Sequence, residues 1–260
     1  TGQTTSSIIV NSAGVYTVTA TINGCSSNPG SGTAAPKSTP ATPVVSVMNN
    51  CNGTSTLTTN AAGSLLWSTG ATTSTITVNS AGSYTVTTTS NGCTSAPGSG
   101  VAAPKTTPAT PVVTVVNNCG NSILSTNAAG SLLWSNGATT ASITVNAAGT
   151  YTVTTTVNGC SSNAGSGIAA PKAIPATPLV TVVNNCNGTS TLSTTATGSL
   201  LWSTGATTAT ITVTTAATFT VTATVSGCSS LPGSGISAPK TTPAKPIVTV
   251  TNSCGNSTLA

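Results

Sequence analysis

Three tryptophans, Trp67, Trp134 and Trp202, fall 67 and 68 residues apart, each inside a Leu-Leu-Trp-Ser segment. A proline-rich stretch recurs in step with them: Thr-Pro-Ala-Thr-Pro at 107–111, Ile-Pro-Ala-Thr-Pro at 174–178 and Thr-Pro-Ala-Lys-Pro at 242–246. One small unit is therefore repeated, and each copy must bury a core or share one with its neighbours. The linkers divide the chain into three whole repeats, 43–110, 111–177 and 178–245, with partial repeats at 1–42 and 246–260. A unit of this size buries only about 60% of the surface its unfolded chain exposes, so it needs dense packing or a covalent staple.

Within a repeat the hydrophobic period is two, as in strands, and no helical period occurs. In residues 43–110, Val45 and Val47 share one face of a strand that begins after Pro43. The turn Asn49-Asn50-Cys51-Asn52-Gly53 leads into an extended run around Leu57. Ala61-Ala62-Gly63 turns the chain before Leu65 and Trp67. Ile76 and Val78 alternate next, and Ser80-Ala81-Gly82 precedes Tyr84 and Val86. Asn91-Gly92-Cys93 is a further turn, and a last strand runs near Gly100 to Ala103. Six or seven short strands separated by turn residues predict an antiparallel β-sandwich, with prolines confined to linkers and turns. Trp67, Trp134 and Trp202, with Tyr84, Tyr151 and Phe219, are the expected core anchors. An exposed aromatic that stacks on sugar is the alternative for the tryptophans.

The chemistry open to this chain is narrow. It has five lysines, no Asp or Glu and no His. General acid–base catalysis lacks its usual groups, and Ser or Thr nucleophiles lack a base beside them. No catalytic residue is assigned, and the expectation is a non-enzyme without cofactor. Carboxylate-built calcium or magnesium sites are not expected, so no metal site is assigned. The net charge of +5 is dispersed: Lys37, Lys105, Lys172 and Lys240 each sit in an Ala-Pro-Lys step of a linker. Nucleic-acid binders cluster their cations, so no nucleic-acid partner is expected. No apolar run approaches the roughly 18 residues of a spanning helix, so no membrane insertion is expected either.

Eight cysteines, Cys25, Cys51, Cys93, Cys119, Cys160, Cys186, Cys228 and Cys254, alternate between two kinds of turn. Cys51, Cys119, Cys186 and Cys254 lie in the first turn of a repeat; Cys25, Cys93, Cys160 and Cys228 follow Gly after the Tyr or Phe strand. Regular spacing in a His-free chain favours disulfides in an oxidising compartment over zinc, whose clusters need close Cys or His pairs. Two pairings are open. Within-repeat bonds (51–93, 119–160, 186–228) would staple each sandwich, and linker-crossing bonds (25–51, 93–119, 160–186, 228–254) would use every cysteine.

The run Leu65-Leu66-Trp67-Ser68-Thr69-Gly70, then Ile76-Thr77-Val78, Ala81-Gly82-Ser83-Tyr84-Thr85-Val86 and Asn91-Gly92-Cys93 resembles the tandem immunoglobulin-like repeats of Bacteroidetes-type bacterial surface and secreted proteins, including gliding-type adhesins. The resemblance covers nearly the whole chain. It implies an all-β fold of tandem Ig-like sandwiches in a linear array, at an extracellular or cell-surface location. Many such domains carry Asp and Glu, some of which bind calcium; that role does not carry over to a chain without either. The third whole repeat also departs from the pattern, with Phe219 for Tyr and Ala217 for the turn Gly.

Two functions of different class follow. The first is a structural segment of an extracellular fibre or filament, whose partner is the chain itself through head-to-tail or lateral assembly. The second is an adhesin stalk or binding module for glycan or another surface; near-identical repeats suit a spacer better than a tip. A weaker reading is ice binding by Thr85, Thr87 and Thr89, residues that also simply suit strands. Asn52, Asn187 and Asn256 begin Asn-x-Ser/Thr sequons and are glycosylation candidates. The partial repeats are expected to reflect a window on a longer chain. The alternative is strand complementation between copies, at a joint that would lack its Trp strand.

Overall fold

The computed structural model describes residues 2–260; Thr1, at the start of the first partial repeat, lies outside the described residues. Every regular element among the described residues is a β-strand, and none is a helix long and apolar enough to cross a membrane. The chain forms tandem antiparallel β-sandwiches.

The first whole repeat shows the plan. One sheet has three strands, with Ser55–Thr58 between Ser46–Asn49 and Thr75–Val78. The facing sheet is organised by the long strand Gly82–Ser90. Ser64–Trp67 pairs along one side of it, while Gly98–Ala102 and the short Cys93–Thr94 pair along the other. The strand pattern comes from β-branched residues at period two: Thr85, Thr87 and Thr89 are only partly buried, while Val86 and Thr88 face the core. The same elements recur in the second and third whole repeats.

Each sandwich has its own core. In the first, Leu57, Leu65, Trp67, Ile76, Val86 and Ala102 are buried together, with Val45, Val47 and Tyr84 packed against them. The equivalent clusters are centred on Trp134 and on Trp202. Each tryptophan is at most 2% exposed, which makes it a core residue and not a sugar-stacking surface. Its ring Nε1–H donates to a backbone carbonyl at 2.8 Å, of Thr73, Thr140 or Thr208, so the indole is buried without an unpaired donor.

Two glycines let the sheets close. A Cβ on Gly100 would stand 2.7 Å from both Val45 Cγ1 and Val47 Cγ2, and one on Gly98 would overlap the Pro43 carbonyl. Gly165, Gly167, Gly233 and Gly235 meet the same obstacle in their repeats. The Gly-Ser-Gly run is thus a packing requirement: the first strand of the opposite sheet fills the space a side chain would take.

By spatial proximity the chain separates into two compact units. One runs to Ala109 and includes Thr156–Ser162; the other comprises Thr110–Thr155 and Asn163–Ala260. The hairpin tip Thr156–Ser162 joins the first unit through the bond made by Cys160.

Candidate functional site

Among the described residues no group of three or more His, Cys, Asp or Glu side chains could hold a metal ion. The feature with a definite chemical consequence is the set of cysteine-bearing turns beside the linkers. The first turn of a repeat is tied to its own linker: Gly53 N–H donates to the Lys105 carbonyl at 2.8 Å, and Lys105 N–H to Asn50 O at 3.0 Å. Thr107 Oγ1 donates to Cys51 O at 2.8 Å. Asn49 Oδ1 accepts from Ser55 Oγ and from Ala103 N–H, fixing the same end of the sandwich. Gly120 with Lys172 and Gly188 with Lys240 repeat the linker contact. The Pro-rich linker is therefore strapped down along its first half, and Cys51 sits where it leaves, at the downstream end of the sandwich.

The second kind of turn is at the upstream end. Asn91 and Gly92 have φ of 52° and 79°, the left-handed pair of a tight hairpin, and Cys93 follows at once. Asn158-Gly159, Ser226-Gly227 and Asn23-Gly24 have the same geometry. The strand leading to this turn starts at Gly82, opposite Ala102 near the downstream end, and runs its length to Ser90. At about 3.3 Å per residue, eight residues of strand separate the two ends by roughly 26 Å. A disulfide needs its Cα atoms within about 7 Å.

That distance overturns both expected pairings. Within a repeat, Cys51 and Cys93 lie at opposite ends of one sandwich, and the linker-crossing scheme also joins an upstream turn to a downstream one. The bonds formed are Cys51–Cys160 and Cys119–Cys228, each with Cα atoms 5.5 Å apart and a sequence separation of 109. A downstream-turn cysteine is bonded to the upstream-turn cysteine of the next repeat, because those two turns flank the same linker. Regular spacing identified the cysteines; considering only sequence-adjacent pairs hid the pattern. Cys25, Cys93, Cys186 and Cys254 are free.

The linker lysines belong to this site. Lys105 Nζ lies beside the Gly159 turn, 3.8 Å from where a Cβ on Gly159 would stand, and Lys37 Nζ is placed the same way at Gly92. Lys37 and Lys105 thus reach hairpins that carry upstream cysteines, a role their isolation in sequence did not suggest; the equivalent Gly227 has no neighbour within 4 Å of its Cβ position. A shallow groove of about 260 Å³, lined by Pro104, Lys105, Thr106, Pro108, Val157 and Asn158, runs beside the clamp.

Asn52 and Asn187 are exposed in the downstream turns. The Oδ1 of each accepts from the backbone N–H and hydroxyl of the Thr two residues on, at 3.2 and 2.7 Å. Each Oδ1 is thereby occupied in closing the turn. Asn256 is exposed in the strand Asn256–Leu259.

Tyr84 donates its hydroxyl to Ser80 O at 3.1 Å, tying the start of its strand to the turn before it. Tyr16 and Tyr151 do the same to Ser12 O and Ala147 O. Phe219 cannot. In its repeat Ser237 occupies the position of Ala102, and its Oγ donates at 2.6 Å to Thr215 O, the carbonyl equivalent to that of Ser80.

No family model matches this sequence, and no curated protein matches it. Among solved structures, the chain is similar to the crystal structure of domains A168-A170 from titin, at 16% identity over 76% of this chain and 97% of that one, with a TM-score of 0.28. At that score the likeness adds nothing to the fold read from strand pairing.

Proposed function

We propose that this chain is a structural, non-catalytic segment of an extracellular fibre or cell-surface filament, built of Ig-like repeats clamped one to the next. The clamp carries the reading. Each of the linkers at 104–111 and 171–178 is bracketed by a disulfide from the repeat before it to the repeat after it. A linker held at both ends in this way transmits tension and resists bending, which a spacer or fibre needs and a single binding domain does not. Disulfides persist in oxidising surroundings, in keeping with a location outside the cytoplasm.

The partner is the chain itself, with neither nucleic acid nor membrane insertion involved. Glycans on Asn52, Asn187 and Asn256, or on outward-facing Ser and Thr, would cover a surface that has five charges in 260 residues and many exposed apolar side chains. The second reading, an adhesin stalk, keeps the same clamps but ends in a different recognition domain.

Electron microscopy of native material in non-reducing buffer separates them. Continuous fibres with a regular axial repeat are the expected result, becoming more flexible with reductant. Separate short rods of uniform length would replace the fibre reading by the stalk.

A further inference from the structure

Every whole repeat ends one of its sheets on the same strand: Thr75–Val78, Ser142–Val145 or Thr210–Val213. In the first, Thr59 N–H donates to the Ser74 carbonyl at 2.9 Å, and Leu57 stands opposite Ile76. Antiparallel partners bond at alternate residues, so Ser74, Ile76 and Val78 use their backbone groups on the neighbouring strand Ser55–Thr58. The backbone N–H and C=O of Thr75 and Thr77 therefore point out of the sheet. Thr126 with Ala141, and Thr194 with Ala209, set the same phase in the other two repeats. Ser142 and Thr144, and Thr210 and Thr212, are turned outward in the same way, and all of these residues are exposed.

Proteins blunt such edges with a Lys, a Pro, a bulge or a covering segment. This edge has none of them. No Lys or Pro occurs between residues 44 and 96, 112 and 170, or 179 and 231. The register is unbroken by a bulge, and the strand is as long as the two beside it in the first whole repeat. The opposite side of the sandwich is protected. There Pro43 crowds Gly98, Ala103 N–H donates to Asn49 Oδ1 at 2.9 Å, and Pro104 follows the last strand. Pro111 with Gly165 and Pro178 with Gly233 repeat that cover. At the other sheet's outer strand, Ser64–Trp67, the Trp67 N–H is taken by the Ala71 carbonyl.

The edge is complementary to itself. Thr75-Ile76-Thr77 and Thr210-Ile211-Thr212 read the same in both directions, and Ser142-Ile143-Thr144 differs from them by one methyl group. Two copies related by a two-fold axis through Ile76 set Thr75 opposite Thr77 of the second copy, and Thr77 opposite its Thr75. These are the hydrogen-bonding positions, and Thr–Thr is a favourable cross-strand pair. Ile76, 7% exposed at the rim of its core, then faces Ile76 of the second copy. The edge carries no charge, so two copies do not repel there; Lys105, Lys172 and Lys240 lie in the linkers.

We propose that these strands are the lateral docking surface of the fibre, where Thr75–Val78, Ser142–Val145 and Thr210–Val213 pair antiparallel with the same strands of a second copy. This rests on the fibre reading and names its side-to-side bond. Two three-stranded sheets, one from each copy, become one continuous sheet at every such contact. A second copy is the occupant because the palindromic edge supplies its own complement, and because each of the three edges matches the other two. Thr73 Oγ1 donates to the Thr75 carbonyl at 2.6 Å, as Thr140 and Thr208 do to Ser142 and Thr210. Each carbonyl keeps a second lone pair for the incoming N–H.

The test uses the full chain with both clamps formed and its free thiols alkylated, so that any association is non-covalent. Sedimentation across a range of concentrations should show reversible self-association. Hydrogen exchange should show the amides of Thr77, Thr144 and Thr212 protected only in the associated state. Thr77→Pro/Thr144→Pro/Thr212→Pro removes N–H groups that the sandwich itself does not use, and should weaken association at least tenfold. Thr77→Lys/Thr144→Lys/Thr212→Lys keeps every N–H and should weaken it through like-charge repulsion, more at low salt than at high. Leu66→Lys/Leu133→Lys/Leu201→Lys, on the exposed face of the other sheet, should leave it unchanged. Correct Cys51–Cys160 and Cys119–Cys228 links show that a variant has folded. Sedimentation independent of concentration, association that survives both threonine sets, or association lost only in the leucine set would overturn the docking surface. So would native material in which these strands crosslink to a foreign polypeptide. Native fibres one sandwich wide with these amides unprotected would overturn it and leave the fibre reading standing, whereas native short rods would remove that reading itself.

Discussion

Val86 and Val18 occupy the same place in the repeat, as do Leu57 and Leu259, yet the first of each pair is 0% exposed and the second 71% and 68%. Their neighbours in sequence are nearly identical. What differs is whether the opposite sheet is present: the whole repeats bring both sheets from one stretch of chain, and each partial repeat has only one side. The burial of a strand residue here is a property of the assembled sandwich and not of its local sequence. The two settings therefore form matched controls within one molecule.

The largest contrast concerns the cysteines. Cys228 is 1% exposed and bonded to Cys119, while Cys25 is exposed and free. Cys119→Ser/Cys228→Ser opens a loop of 109 residues and should cost about 4 kcal/mol, since loop-closure entropy grows with loop size. Cys25→Ser should stay within about 0.5 kcal/mol. Denaturant unfolding of the isolated monomer measures both. Equal effects would mean that the clamp does not constrain the unfolded chain.

Next come the leucines. Leu124→Ala in the second whole repeat should lose about 2–5 kcal/mol, the transfer term plus the cavity. Leu259→Ala should be near neutral in the monomer, within about 0.5 kcal/mol.

Much of this was legible beforehand. Period-two alternation around Val45, Leu57, Trp67, Ile76 and Val86 gave the strands, and the glycine-bearing turns gave their limits. The tryptophans were recognisable as anchors because nothing else in a repeat is as large. The disulfide partners were not legible, since they depend on which end of a sandwich each turn occupies. Cys51 and Cys160 are 109 residues apart in sequence and 5.5 Å apart at Cα. The linker lysines were read as isolated charges for the same reason: Lys105 meets Gly159 only after two sandwiches have formed. The last strand read only as a run near Gly100 to Ala103, whereas it spans Gly98–Ala102 and its glycines are demanded by Pro43 at Gly98 and by Val45 and Val47 at Gly100.

A smaller contrast separates the corners of the first and third whole repeats. Tyr84 ties its corner through its own hydroxyl, and Ser237 does so for Phe219 from another strand. Ser237→Ala should cost about 1 kcal/mol, the net value of one hydrogen bond. Adding Phe219→Tyr should restore a comparable amount by returning a donor to Thr215 O. If the second substitution restores nothing, the two corners are not equivalent solutions to the same unpaired carbonyl.

The smallest effect expected is that of pH, and it applies equally to whole and partial repeats. Stability changes with pH in proportion to the difference in bound protons between the unfolded and folded states. Acid unfolding of most proteins draws on carboxylates that are paired when folded or on His buried neutral. This chain has neither side chain anywhere. With the same protons bound in both states, the slope is close to zero, and the melting temperature of the unmodified chain should stay nearly flat from about pH 3 to 8, where only the termini of the chain titrate. Scanning calorimetry across that range checks it. A fall of many degrees on acidification of native material, absent from unglycosylated protein, would identify acidic sugars as the titrating groups and so bear on the proposed glycan coat.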